Sequence, residues 1–188
     1  MRTMTPGTLL TQAARWRSVR LQLLSAVQGV RERIPPVAWL ILLFVATRLL
    51  FLTLVHPDRL VDITGDELYV GTIAQEILTG LKLPFPEYRA NNYAGGSLII
   101  GAIAAGFFRL LGPTIFALKL APLLWFTLTL LVWYQILARY ANERVAMYWA
   151  WLFILPPPIF TVYSMEAIGS YTESILLTGV SLFLLLRL

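Results

Sequence analysis

The stretch IFALKLAPLLWFTLTLLVWYQILA, residues 115–138, carries one charged side chain, Lys119, in its whole length. As a helix rising about 1.5 Å per residue it is about 36 Å long, more than the roughly 30 Å hydrocarbon core of a bilayer. Runs of the same kind occupy 37–55 and 145–163, with a shorter one at 172–187. The whole chain is 58% hydrophobic, with a mean hydropathy of +0.72. A soluble domain of this size does not hide so much apolar surface. The expected architecture is therefore an all-α polytopic membrane protein with about four transmembrane helices at 37–55, 115–138, 145–163 and 172–187.

The chain has no cysteine, so a disulfide framework or a thiolate metal site is excluded. The net charge of +5 is carried by arginines flanking the apolar runs, which fits membrane orientation better than nucleic acid binding. Residues 1–36 hold six arginines and a single acid, Glu32. This basic segment reads either as an amphipathic helix on the membrane surface or as a cytoplasmic tail. By the positive-inside rule the N-terminus is cytoplasmic, which puts the loop 56–114 outside. That loop carries six of the ten acids: Asp58, Asp62, Asp66, Glu67, Glu76 and Glu87.

Within the loop, Thr64-Gly65-Asp66-Glu67 matches a capping box, with Thr64 as N-cap and Glu67 at N3, and Gly80 is a plausible stop. The apolar stretch 95–111 is short and rich in glycine and alanine. If it crossed the membrane, Arg139, Arg144 and Arg187 would lie outside. Read as a juxtamembrane helix it leaves them inside, with both termini cytoplasmic, although Arg109 and Lys119 then face outward. Glu166 and Glu173 then approach the acidic first loop.

Asp66 and Glu67 are the strongest chemical candidates. Two carboxylates at a helix start outside the bilayer suit metal binding or acceptance of a proton from a hydroxyl. The same pair equally suits a helix macrodipole and a capping box. Glu173 opens an apolar helix, where an acid faces a polar cavity or serves as a helix-start carboxylate. Arg48 lies inside the first span; it either pairs with an acid or a lipid phosphate, or snorkels to the outer surface, and snorkelling is the expectation. Tyr88, Asn91, Asn92 and Tyr93 are polar side chains of the kind found in sugar sites and in ordinary loops alike. The prolines at 156–158 are expected to kink or end the third span. No glycine-rich phosphate loop is present.

The order of these features resembles the N-terminal part of the GT-C superfamily of polytopic glycosyltransferases. Within it, the chain most resembles the bacterial dolichyl-phosphate-mannose-protein mannosyltransferase and aminoarabinose-transferase-like group (glycosyltransferase family 39). The resemblance covers about 37–188. It rests on TRLL (47–50), GDELYVGTIAQEILTG (65–80), NNYAGGSLIIGAIAAGFFRLLGPTIFALKL (91–120) and PPPIFTVYSMEAIGSYTESILLTG (156–179).

It implies an enzyme of the cell envelope, in the plasma membrane, that moves a sugar from a polyprenyl-phosphate carrier to a lipid, glycan or protein hydroxyl on the outer face. The implied catalytic acid pair is Asp66 and Glu67. Glu173 is the implied second-loop acid near the substrate, with Asn92, Tyr93 and Arg48 as further substrate-binding candidates. A divalent metal ion held by Asp66 and Glu173 is the one cofactor implied. The partners are the lipid-linked sugar and membrane lipids, not nucleic acid.

The chain departs from that pattern in having Glu173 where relatives carry Asp, and Asn91-Asn92-Tyr93 where some carry Glu-Lys-Pro. With four spans it is expected to be the N-terminal part of a longer protein. The runner-up is a non-catalytic membrane scaffold subunit. A small transporter is the weakest reading, because the middle spans lack broken-helix midplane charges.

Overall fold

A computed structural model describes residues 35–55, 63–82, 89–90, 93–94, 96–168 and 171–188. The chain divides into two compact units, Met1–Trp39 and Leu40–Leu188. Of the first, only the opening of one helix is described, so the proposed interfacial helix in 1–34 lies outside the described residues. The second unit holds the remaining elements.

The fold is helical. Helix α1, Pro36–Leu50, runs into a π-helical turn, Phe51–Val55; α2 is Gly65–Thr79, α3 Gly96–Leu111, α4 Ile115–Tyr140 and α5 Glu143–Ile154. Helix α6 is the short Pro158–Tyr163 and α7 is Tyr171–Leu185. A two-residue ladder before α3 pairs β1, Arg89–Ala90, antiparallel with β2, Tyr93–Ala94. Among the described residues, two helices are long and apolar enough to cross a membrane, Pro36–Leu54 and Ile115–Tyr140. At 15 residues α7 is only about 22 Å long, short of a bilayer core.

The helix starts follow local chemistry. Thr64 Oγ1 accepts from Glu67 N, and Glu67 Oε2 accepts from Thr64 N, so the reciprocal capping box forms as expected. Thr114 and Asn142 cap α4 and α5 through their side-chain oxygens. Gly112 takes φ +81° and donates its N–H to Phe108 O, which ends α3 and turns the chain into α4.

The break expected at the prolines of 156–158 is present. Residues 145–163 are not one continuous helix: α5 stops at Ile154, and α6 begins again at Pro158. Pro156, Pro157 and Pro158 have no N–H to offer the carbonyls of Leu152, Phe153 and Ile154, so the hydrogen-bond ladder breaks there.

Packing centres on α4. Helix α3 lies against α2 on one side and α4 on the other, while α4 also meets α5 and α7. The α2–α3–α4 core is built largely from small side chains, among them Ala74, Ala104, Ala117 and Ala121, around Val70, Ile100 and Phe108. Small residues let helix backbones approach closely where lipid supplies no hydrophobic drive. Among the described glycines the closest approach is at Gly101, where an added Cβ would lie 2.7 Å from Ile73 Cγ2. Gly179 plays the same part between α7 and α4, with an added Cβ at 2.8 Å from Trp133 Nε1. Around the proline break, Phe153 gathers four rings: Phe44, Phe126, Trp149 and Phe160, with centroids 5.0–6.2 Å away. These tilted and edge-on pairs fix the end of α5 against α1, α4 and α6.

Candidate functional site

Several buried polar side chains converge on the turn 164–167 between α6 and α7. Ser164, Met165, Glu166 and Ala167 are all buried there, which is unusual for a connection between helices. Two charged side chains from distant elements hold the turn.

The first is Glu67, which is 1% exposed. Its Oε1 pairs with Lys119 Nζ of α4 at 2.5 Å and also accepts from Ala167 N at 3.0 Å. With Oε2 on the Thr64 amide, both oxygens are engaged. Lys119 is 2% exposed, so neither charge reaches solvent. Burying such a pair costs desolvation, offset here by close contact and by the amide hydrogen bond. Deleting one partner typically costs about 3–5 kcal/mol, because the other charge is left uncompensated.

The second is Arg48. The expectation that it snorkels is overturned: it is 2% exposed and turned inward. Its Nε donates to Ser164 Oγ at 2.8 Å, Nη1 to Ile154 O at 3.0 Å and Nη2 to Phe153 O at 3.4 Å. The guanidinium also sits 4.6 Å over the Phe44 ring. The two carbonyls are those left without donors by Pro157 and Pro158, so Arg48 supplies the missing hydrogen bonds and its charge meets the negative end of the α5 dipole. A buried arginine is costly when it has no acceptors; here the broken helix gives it a defined set.

Glu173, 4% exposed in the first turn of α7, accepts from Ile100 N near the start of α3 through Oε1 at 3.1 Å. It thus ties α7 to α3, six residues after the turn held by Glu67. Asp66 is half-buried in the first turn of α2, beside Glu67. The link between the first-loop helix and the second loop runs through Glu67. Asn92 lies outside the described residues, and for Tyr93 only the backbone is described, in β2.

Lys119 is the residue that sequence reasoning missed. It entered only as a charge at odds with the topology. A lone lysine in an otherwise uncharged span was itself the signal, since such a group needs a buried counter-charge. Among the described residues, no three of His, Cys, Asp and Glu come together in a metal-binding group. Glu67, with Lys119 on one oxygen and amides on both, is a poor cation ligand. No protein family, curated protein or solved structure matches the chain.

Proposed function

We propose that this chain is a membrane glycosyltransferase, or the N-terminal part of one, that moves a sugar from a polyprenyl-phosphate carrier to a hydroxyl on the outer face. The observation that carries the reading is the joining of the first-loop helix to the second loop, Glu67 Oε1 to Ala167 N at 3.0 Å. It draws the helix start bearing Asp66 towards the segment that leads into Glu173, two acids 107 positions apart in sequence. In this reading Asp66 accepts the proton of the acceptor hydroxyl as its oxygen attacks the anomeric carbon, and the carrier phosphate leaves with the electrons of the broken C–O bond. Glu173 borders the substrate. A divalent ion between Asp66 and Glu173 would need further ligands from beyond the described residues, and no step here depends on one.

The proposed topology places the N-terminus in the cytoplasm and the loop 56–114 outside. The chain crosses at α1 and α4, then by the broken pair α5–α6, and again at α7, whose shortfall a locally thinned bilayer accommodates, with α3 juxtamembrane. A scaffold subunit is the second reading. It is favoured by the internal pairing of Arg48, Glu67 and Lys119, which a purely structural network would also show. Transfer of radiolabel from polyprenyl-phosphate sugars, assayed with the full-length protein in membranes, decides between them. Transfer that depends on Asp66 supports the enzyme; its absence across donors supports the scaffold.

A further inference from the structure

We infer that Lys119 is a positioning residue, and that with Glu67 it forms a buried strut holding the α2 start and the turn 164–167 in one arrangement. The chain of contacts is continuous. Lys119 Nζ meets Glu67 Oε1, that same oxygen accepts from Ala167 N, and Glu67 Oε2 accepts from Thr64 N. One carboxylate therefore joins α4, the entry to α7 and the cap of α2. Asp66 is the residue before Glu67, and Glu173 lies six after Ala167, so both candidate carboxylates hang from this junction.

The ammonium is what allows the junction to exist. Glu67 is almost fully enclosed, and an ionised carboxylate there without a counter-charge would be driven to take up a proton or to move towards water. Either response changes the acceptor offered to Ala167 N. Lys119 makes no contact with a reacting group in this scheme; it acts through Glu67. Glu67 is accordingly assigned to positioning, and the chemistry is left to Asp66.

The catalytic half of this inference rests on the glycosyl-transfer reading, whereas the strut does not, and the test separates them. The chain has no cysteine, so Ala167→Cys, at a fully buried position, gives a single thiol reporter. In the full chain in membranes, that thiol should resist a water-soluble maleimide. Adding Lys119→Met should speed labelling at least tenfold, and Lys119→Arg should restore protection. The neutral pair Glu67→Gln with Lys119→Met should also be protected, because the new side-chain amide can still accept from the backbone N–H at 167. This variant keeps the test decisive if Lys119→Met alone does not accumulate.

Labelling that is unchanged in Lys119→Met, or equally fast in the neutral pair, overturns the strut. In the cysteine-free chain, Lys119→Met should lower kcat for sugar transfer at least tenfold with KM little changed, and Lys119→Arg should recover it. A labelling response without any change in kcat overturns the positioning role while leaving the strut. No transfer by the full-length parent protein overturns the glycosyl-transfer reading and with it the positioning role, and labelling still decides the strut.

Discussion

Arg48 Nε and Ser164 Oγ lie 2.8 Å apart although 116 positions separate them in the chain. Through the same guanidinium, α1 reaches the carbonyls of Phe153 and Ile154, so the first apolar helix is fastened to the proline break rather than to another helix flank.

Arg48→Met should destabilise the fold by stranding buried acceptors, at about 1–3 kcal/mol for each group left unsatisfied. Thermal unfolding of the detergent-purified protein measures the loss. Pro157→Ala with Pro158→Ala offers new N–H donors to the same two carbonyls and should recover part of it. A triple variant no more stable than Arg48→Met would mean that the arginine matters for some reason other than those carbonyls.

Gly101→Ala should cost about 1–3 kcal/mol, because its methyl group meets Ile73 Cγ2 at 2.7 Å in a packed α2–α3 contact. Ile73→Ala removes that atom at its own cost. The two changes together should cost less than their sum by about 0.5–3 kcal/mol. Strict additivity in a double-mutant cycle would show that the two helices adjust freely at this point.

Asp66→Asn keeps the volume and polarity of a first-turn residue and leaves Thr64 and Glu67 to cap α2. It should insert and fold as the parent does while lowering sugar transfer about 10²–10⁴-fold, the usual cost of losing a general base. Asp62→Asn is the matched control and should have little effect. Transfer by Asp66→Asn near the parental rate would reduce Asp66 to a helix-start acid.

For topology, the single substitutions Asn92→Cys and Ala141→Cys separate the alternatives. An impermeant maleimide applied to intact cells should label the thiol at 92 and spare the one at 141, which lies in the exposed turn between α4 and α5. Labelling of both would mean that α3 crosses the membrane and that α4 runs in the opposite direction.

Features specified by neighbouring residues were legible in the sequence. The helix at 65–79 followed from Thr64, Glu67 and Gly80, which act within one or two turns of their own backbone. The break near 156 followed from three prolines in a row. The apolar run at 115–138 gave α4, which ends two residues later. What escaped depended on partners far along the chain. Nothing near Arg48 tells that three of its acceptors lie 105–116 positions on, and nothing near Lys119 names Glu67. A long cationic side chain near a span end can satisfy itself by reaching water, so local pattern favoured snorkelling until the carbonyls exposed by Pro157 and Pro158 supplied an inward alternative. The carboxylates were found as a pair, but burial and pairing distinguish Glu67 from Asp66, and neither is written in their adjacency.

The proline break also imposes an order of events on biosynthesis. Arg48 leaves the ribosome about 106 residues before the Ile154 carbonyl that it caps, a delay of roughly 5–20 s at ordinary elongation rates. During that interval the first apolar helix carries a charge whose eventual acceptors have not been made. It must wait, with its arginine hydrated, until α5 arrives. Completion of the fold is therefore set by the late segment recruiting the early one.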